Sequence, residues 1–377
     1  MDCPSIPVLD AREFKVRFFD KFREKRIPFT GQMDLTTRCN IRCGHCYISD
    51  NQSHGELTYS EILRIMDEIV EEGCLWLVLT GGEPLLRPDF LDIYTYGKKK
   101  GLFMVVFTNA TLLDERIADY FAELPPYSVE VSLYGASKET YEKVVGVTGA
   151  YERAMRGINL LAERRLPLHL KTVATTVNQH EVRDIQNLAE RLGAGFRYDP
   201  LINPRVDGNK GPCGLRIPPE EVVAMDMADP RRAEALRKQC EMTAGWRRSE
   251  YIFDCGAGRK AFNIDAQGRL QVCGLARNYS YDLRQGSFHD GWRHYIAHAL
   301  DLKRAQPSRC DQCDLVSMCG MCPAWIELEN NGVEGPVEYI CQIAHLRARA
   351  FGVQGPEETR EEPALGLGSY HLTGGDC

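Results

Sequence analysis

The sequence lacks three features that would point to a membrane, to secretion or to a nucleic acid. No apolar run is long enough to span a bilayer, which excludes a membrane-spanning helix. The first thirty residues are charged throughout, as at Asp10, Arg12 and Glu13, so they cannot form the apolar core of a secretory signal. A net charge of −7 gives no electrostatic basis for binding nucleic acid or an anionic membrane. A cytoplasmic location follows by default.

Cysteine, by contrast, is abundant. The 377 residues, enough for two domains, include 15 cysteines. In a reducing compartment clustered cysteines indicate metal ligands rather than disulfides. Three lie between positions 39 and 46, and eight lie between positions 240 and 341. The remaining ones stand apart and are expected to be ordinary thiols: Cys3, Cys74, Cys213 and Cys377.

The first cysteine group has the spacing C-x3-C-x2-C, with Tyr47 directly after its last member. Its members are Cys39, Cys43 and Cys46. Three thiolates on one short loop can ligate three irons of a [4Fe–4S] cluster and leave the fourth iron open, whereas a closed cluster takes four cysteines. Structural zinc is the alternative, but it usually has four ligands from paired CxxC units. The spacing therefore favours a catalytic iron–sulfur cluster whose open iron activates a small molecule.

Short apolar strands alternate with amphipathic helices from residue 31 to about residue 200. The predicted strands are residues 32–36, 75–80, 103–108, 128–133, 168–174 and 195–199. The clearest helix begins with a capping box, Thr58 and Glu61, and continues with an apolar stripe. Six β/α units in succession predict a parallel sheet, either open and doubly wound or curved toward a barrel.

A second helix repeats the apolar stripe, with Gly193 at the position of a C-terminal cap. The members of the two stripes are Ile62, Ile65, Met66 and Ile69, then Val182, Ile185, Leu188 and Leu192.

Candidate functional groups follow the ends of four of these strands. They are the cysteine loop, the run Gly81-Gly82-Glu83-Pro84, Asn109 and Ser132. In parallel sheets reactive groups lie on loops that leave the carboxyl ends of strands, so these groups are expected on one rim. Glycines at such a place allow the backbone to approach a ligand closely.

With these motifs in place, the sequence resembles the radical S-adenosylmethionine (SAM) superfamily, in particular its members with a C-terminal SPASM domain. The resemblance rests on residues 36–47, 80–84, 108–109 and 132–135, and it extends over roughly residues 31–345. It implies an α/β fold with a partial (β/α)6 barrel at residues 31–220 and a cysteine-rich SPASM domain at residues 253–345. Around these it leaves an N-terminal extension at 1–30, a helical bridge at 221–252 and a tail, expected to be mobile, at 346–377.

The resemblance also implies a chemistry and a cofactor site. The open iron binds the amino and carboxylate groups of SAM, and one electron from the cluster yields methionine and a 5′-deoxyadenosyl radical that abstracts hydrogen from a substrate. Glu83 would accept a hydrogen bond from the SAM ammonium, within a turn that includes Gly81, Gly82 and Pro84. Ser132 would bind the ribose, Asn109 or Lys171 the adenosine or carboxylate, and Tyr47 would lie beside the cluster. For Ser132, Asn109 and Lys171 the alternative is a polar cap at a strand end.

The second cysteine group, the seven from Cys255 to Cys341, contains two CxxC pairs, and seven ligands do not divide into the fours that zinc sites require. SPASM domains use such a set for two auxiliary iron–sulfur clusters. By that resemblance one [4Fe–4S] cluster is held by Cys310, Cys313, Cys319 and Cys341, and the other by Cys255, Cys273 and Cys322. The spacing before Cys322 is one residue shorter than usual. The fourth position of its cluster is open, is taken by Cys240, or is absent because the cluster is [2Fe–2S].

For the substrate, the resemblance implies a peptide or protein, as in cross-link or thioether formation during maturation of a ribosomally synthesised peptide. A porphyrin or other small molecule is the alternative. A sulfatase maturase is disfavoured, because Gly274 stands where that group is expected to carry an aspartate base. A non-catalytic iron–sulfur or zinc protein would leave the 81–84 motif unused.

Two partners follow from the peptide hypothesis. An external one-electron reductant of the flavodoxin or ferredoxin type would supply the electron to the catalytic cluster. Activity is expected only under anaerobic conditions. Thirty residues ahead of the barrel are too few for a leader-binding domain. The leader is therefore expected to bind residues 1–28, the SPASM domain or a separate leader-binding protein.

Overall fold

The structure, a computed structural model, describes Phe18, Lys21, Phe22 and residues 25–49, 55–242, 247–253, 255–332 and 335–352. Most of the predicted N-terminal extension lies outside these residues. A sheet with the strand order β6-β5-β4-β3-β2-β1-β7-β8-β9 forms the centre. Its first six strands, β1 to β6, are Thr30–Asp34, Trp76–Thr80, Phe103–Thr108, Ser128–Ser132, Leu168–Val173 and Gly195–Asp199.

These six strands are parallel, each hydrogen-bonded to the next along the chain, which confirms the predicted sheet. The sheet does not close between β6 and β9, so the architecture is a partial barrel. Five strands lie within one residue of the predicted limits, and β1 begins and ends two residues earlier. The helices between them, α1 to α6, are Tyr59–Glu71, Phe90–Lys99, Glu115–Glu123, Lys138–Val145, Ala150–Glu163 and Val182–Arg191.

The helix signals in the sequence correspond to observed contacts. The Thr58 side chain accepts a hydrogen bond from the Glu61 amide, and the Glu61 carboxylate accepts one from the Thr58 amide. The predicted stripe of α1 is buried at all four positions against the sheet. Gly193 follows α6 with φ of +64°, in the left-handed region that glycine tolerates. The capping box, the α1 stripe and the Gly193 cap are thus confirmed.

Three further strands extend the sheet, and the sequence analysis did not predict them. They are β7 (Ala261–Ile264), β8 (Arg269–Gln271) and β9 (Ser280–Asp282). Strand β7 is parallel to β1, whereas β8 and β9 add to it in antiparallel order. Runs of three or four residues are too short to show a strand period. As a result, Cys273 follows a strand that lies two places from β1.

The remaining helices pack around this core. They are α7 (Pro219–Ala228), α8 (Pro230–Met242), α9 (the consecutive segments Phe288–Asp290, Gly291–Ile296 and Ala297–Leu300), α10 (Pro323–Asn330) and α11 (Glu338–Phe351). Residues 346–351, predicted as part of the tail, are therefore helical. Arg347 in α11 is buried and forms an ion pair with the buried Asp226 of α7 at 2.8 Å. The tail from residue 353 onward lies outside the described residues.

None of the helices in the described part of the chain is both long enough and apolar enough to cross a membrane.

Candidate active site

The carboxyl ends of the parallel strands surround a cavity of about 940 Å³. This edge of the sheet gathers most of the residues that the sequence assigns to the catalytic and cofactor site. Those on the cavity wall are Cys39, Cys43, Cys46, Tyr47, Gly81, Gly82, Asn109, Ser132 and Lys171. Glu83 and Pro84 are not on the wall. The loop after β6 also lines the cavity, through Leu201, Ile202, Asn203 and Arg205.

The segment that leads into the cysteine loop makes backbone contacts with the turn after β2. Gly82 N–H donates to the Thr36 carbonyl at 2.7 Å, and Glu83 N–H donates to the Arg38 carbonyl at 2.8 Å. A Cβ atom at Gly82 would lie 2.1 Å from the Arg38 carbonyl oxygen, closer than any real Cβ contact. Glycine is thus required here so that the turn can pack against the loop. The structure thus gives a reason for glycine at this position that the sequence does not give, the close packing of two backbone segments. The sequence suggests another, the close approach of the backbone to a ligand.

Glu83 lies behind the cavity wall and is fully buried. Its carboxylate accepts hydrogen bonds from the Asn109 amide at 2.7 Å, the Thr108 hydroxyl at 2.8 Å and the Leu85 amide at 3.1 Å. It therefore joins the turn after β2 to the end of β3. Its role as an acceptor for the SAM ammonium stays a prediction, because the carboxylate does not face the cavity in this structure.

The burial of Glu83 predicts a pH-dependent stability. Burial raises the pKa of Glu83 from 4.5 to about 7, although its three donors act in the opposite direction. Between these values the folded state holds a proton that the unfolded chain has released, so the stabilising contribution is complete below about pH 4.5 and is lost as the pH rises through 7. The unfolding free energy of the wild type should therefore fall by roughly 2–3 kcal/mol over this range because of Glu83. We expect this fall to be absent in Glu83→Gln, which has no group that titrates at position 83.

Denaturant midpoints of the wild type and the variant, measured from about pH 5 to 8, test this expectation. Glu115→Gln, which changes an exposed carboxylate of α3, is the matched control. Identical pH slopes for the wild type and Glu83→Gln would contradict the assignment.

Asn109 contacts the cysteine loop directly. Its Nδ2 atom lies 3.8 Å from Cys39 Sγ and 2.9 Å from Asn40 Oδ1, and its Oδ1 atom accepts from the Thr111 amide. Sequence reasoning missed Asn40, whose amide also donates to Thr111 Oγ1 at 2.7 Å. It missed Glu56 too, whose carboxylate binds the Thr36 hydroxyl and the Thr37 amide. Asn40 stands inside the quoted motif, whereas nothing local marks Glu56.

Lys171 lies on the wall beside residues of β3, β4 and β6. Its Nζ atom is 2.9 Å from Glu130 Oε2 and 3.4 Å from the centroid of the Phe107 ring. Burial lowers the pKa of Lys171 to about 8, an effect that Glu130 partly offsets. Ser132 pairs with Lys171 in the register of β4 and β5. Both residues face the cavity, and their contacts with SAM stay a prediction.

The three thiols of the loop suit a positively charged iron–sulfur core. Burial raises the pKa of Cys39 to about 11 and raises those of Cys43 and Cys46 as well, and Cys46 further raises the other two through its negative charge. Thiolates this close destabilise one another unless a cation lies between them. Bound iron supplies that charge, so the donor set fits the predicted cluster.

The electrostatic interactions among the second set of cysteines follow the two predicted groups. In the first, burial raises the pKa of Cys319 to about 12, and charges at Cys341, Cys310 and Cys313 raise it further. In the second, burial raises the pKa of Cys322 to about 11, and the negative charges of Cys273 and Cys255 raise it further. Each group is thus close enough for its members to interact. Their use as cluster ligands stays a prediction.

Cys240 does not join the three-cysteine group. It packs against Met318 and Cys319, beside the four-cysteine group, so the structure does not support it as a fourth ligand to the Cys255, Cys273 and Cys322 site. In the described ranges no three or more Cys, His, Asp or Glu side chains converge to hold a metal ion.

A buried polar chain connects the two cysteine regions. The Arg277 guanidinium lies between Asp34 and Asp265, 3.4 Å from each carboxylate. Gln32 donates to Asp34 at 3.3 Å and bonds to Tyr47, which follows Cys46. At the other end, the charge of Arg277 lowers the pKa of Cys273 against the effect of burial. The catalytic loop and the three-cysteine group are thus joined through side chains as well as through the sheet.

The fold and the site together define a radical SAM domain. The radical SAM superfamily model matches residues 33–192, which include the cysteine loop and strands β2 to β5. Residues 33–192 therefore form a radical SAM domain, a kind of domain that uses SAM and one [4Fe–4S] cluster.

Individual relatives differ in the activities that their names state. An AdoMet-dependent heme synthase from Methanosarcina barkeri is 37% identical over 163 residues, which are 43% of this chain and 47% of that protein. The match thus spans about half of that relative. The mycofactocin maturase MftC from Mycobacterium tuberculosis is 26% identical over 329 residues, 82% of each chain.

Among solved structures, SuiB from Streptococcus suis, bound to its precursor peptide SuiA, has a TM-score of 0.66 and 14% identity. The similarity covers 91% of this chain and 84% of SuiB. It supports the same fold.

Proposed function

We propose that this protein reductively cleaves SAM at a cluster held by Cys39, Cys43 and Cys46 and uses the resulting radical to modify a peptide. The observation that carries the proposal is the convergence of the cysteine loop, the glycine turn, Ser132 and Lys171 on one cavity. At 940 Å³ the cavity is near the upper end of the usual range for small-molecule sites, about 300–1,000 Å³. It has room for SAM and for part of a second molecule.

The bound cluster would supply one electron to the sulfonium of SAM. The protein's own residues position the reactants. Asn109 and the backbone of the 81–82 turn hold the cysteine loop against the sheet. Lys171 offers a cation to a carboxylate, and Ser132 offers a hydroxyl beside it. The loop after β6 covers the cavity and is fixed to the cysteine loop by the Val206 amide, which donates to the Tyr47 carbonyl at 2.9 Å.

The cysteines outside the barrel would hold two auxiliary clusters. Cys310, Cys313, Cys319 and Cys341 form a complete set of four, whereas Cys255, Cys273 and Cys322 leave one position open. The buried chain from Tyr47 through Arg277 to Cys273 supports an auxiliary site coupled to the catalytic one. Such a site could accept an electron from the substrate radical or bind a substrate thiolate.

The similarity to mycofactocin maturase, which extends over most of both chains, favours a peptide substrate. A separate leader-binding protein and a flavodoxin- or ferredoxin-type reductant would complete the system. The similarity to a heme synthase favours a second candidate, a porphyrin substrate.

Transfer of deuterium decides between the two substrate classes. The anaerobically reconstituted protein is given SAM, dithionite and one of two perdeuterated substrates, a precursor peptide encoded beside its gene or coproporphyrin III. We expect deuterium in 5′-deoxyadenosine with the peptide only, because hydrogen abstraction requires a substrate that fits the cavity. Deuterium from the porphyrin alone would establish the second candidate, and release of unlabelled 5′-deoxyadenosine in both reactions would contradict the peptide proposal.

A further inference from the structure

Basic side chains outnumber acidic ones on the wall of the cavity. Among the described residues that line it, five are cationic: Arg42, Lys171, Arg197, Arg205 and Arg232. Asp199 is the acidic residue on the same wall, and its carboxylate accepts a hydrogen bond from the Leu201 amide at 2.9 Å. This excess occurs in a chain whose net charge is −7. A concave site with one sign of charge attracts ligands of the opposite sign.

Two of these cations already have acidic partners. Arg232 pairs with the buried Asp226 at 2.5 Å. Lys171 pairs with Glu130 at 2.9 Å. Each of these carboxylates is shared with a second arginine, Arg347 at Asp226 and Arg197 at Glu130, so the charges of Arg232 and Lys171 are only partly offset.

The other three cations, which we call the arginine group, are Arg42, Arg197 and Arg205. Arg197 lies 3.4 Å from the Glu130 oxygen that Lys171 also holds, and its side chain is 66% exposed. Arg42 is exposed and has no ion pair among the described residues. The Nε atom of Arg205 is buried without a hydrogen-bond partner, which is costly for a donor unless a ligand completes it.

SAM does not account for this arginine group. SAM carries one carboxylate together with ammonium and sulfonium cations, so it is itself positively charged, and Lys171 is available for the carboxylate. Arg205 lowers the pKa of Cys46 and so helps to balance the thiolates of the loop. Arg42 and Arg197 have no such assignment. Both line the cavity, where they are placed to bind an anionic group of a second ligand.

We propose that the cavity binds its substrate through two or more carboxylates, which the arginine group holds. The inference rests on the proposed function, since it concerns the substrate of the same site. Carboxylates of this kind occur on the acidic side chains of a peptide and on the propionates of a porphyrin. An arginine guanidinium group can bind either kind of carboxylate through two parallel hydrogen bonds.

Binding to the reconstituted, full-length protein with SAM and no reductant tests the proposal. The probes are fluorescein-labelled hexaglutamate against hexaglutamine, and coproporphyrin III against its tetramethyl ester. We expect at least one acidic probe to bind about tenfold more tightly than its neutral counterpart and to weaken as salt is raised. Tighter binding of hexaglutamate than of hexaglutamine indicates that the carboxylates belong to a peptide. Tighter binding of coproporphyrin III than of its ester indicates that they belong to a porphyrin.

Charge-reversed variants then locate the effect. Arg42→Glu and Arg197→Glu should each weaken the acidic probe by about tenfold, and iron content and SAM binding are measured on both variants so that a loss of the cluster is recognised. Arg197→Gln, which removes the charge without reversing it, serves if Arg197→Glu fails to fold. Arg183→Glu, at an exposed arginine of α6, is the matched control and should not change affinity.

Equal binding of acidic and neutral probes, or wild-type affinity in both arginine variants, would overturn the proposal. Release of 5′-deoxyadenosine is measured in parallel, so that the two hypotheses can fail separately. Normal release without a preference for acidic probes would reject the carboxylate inference alone. A clear preference without any release would reject the proposed SAM cleavage alone.

Discussion

Replacement of Cys39, Cys43 and Cys46 by alanine together is expected to abolish release of 5′-deoxyadenosine from SAM and dithionite. If both proposed auxiliary clusters are [4Fe–4S], the anaerobically reconstituted wild type should contain about twelve irons and the variant about eight, because the variant loses the catalytic cluster. The effect should be complete, since these thiols line the cavity and no other described cysteine does so. Iron and sulfide analysis and chromatography of the nucleoside products provide the measurements.

Cys213→Ser is the matched control for this variant. Cys213 is a half-buried thiol in the loop region after β6 and does not line the cavity. It should keep the wild-type iron content and activity. Equal iron in the wild type and the triple variant, or zinc without sulfide in both, would contradict the assignment of the catalytic cluster.

A single methyl group at Gly82 is expected to have a comparable effect on activity. In Gly82→Ala the new Cβ would lie 2.1 Å from the Arg38 carbonyl oxygen and 2.8 Å from the Thr37 carbonyl oxygen. Both are backbone atoms, so relief requires movement of the cysteine loop itself. Overpacking of this kind costs about 1–3 kcal/mol. A displacement near 1 Å at a reacting centre lowers rates by about 100-fold, and we expect at least that loss of SAM cleavage.

Gly214→Ala is the control for Gly82→Ala. A Cβ at Gly214 would meet no atom within 4 Å, and the backbone there is not left-handed. This variant should behave as the wild type in denaturant unfolding, iron content and SAM cleavage. Wild-type activity in Gly82→Ala would show that the loop can shift without harm, contrary to the close packing described above.

The sequence was most informative where the chemistry is local. A cubane held by one loop requires its cysteines at short spacing, so Cys39, Cys43 and Cys46 could be found without a structure. The strands β1 to β6 were predictable because each is an apolar run followed by a helix with its own cap and stripe. The carboxyl ends of parallel strands share one edge, which is why Ser132 and Lys171, forty residues or so apart, could be expected near the loop.

Other features depend on contacts between distant segments. The strands β7 to β9 are too short to show a period, and only their pairing with β1 makes them part of the sheet. Glu83 is fully buried, and only the fold shows that its carboxylate accepts hydrogen bonds from Asn109 and Thr108 at the end of β3. Cys240 was one of three options for the fourth position of the second auxiliary cluster, but the packing of α8 places it beside Cys319.

The sequence by itself therefore determined the class of chemistry, because the cysteine spacing and the glycine turn are properties of short segments. Tertiary structure alone decided which charges face the cavity and which are already paired. Arg42, Arg197 and Arg205 come from separate loops and strands, and nothing in their local sequence distinguishes them from surface arginines. Electrostatic energy depends on distance and burial in three dimensions, so the excess of cations around the site emerged only when the chain was folded.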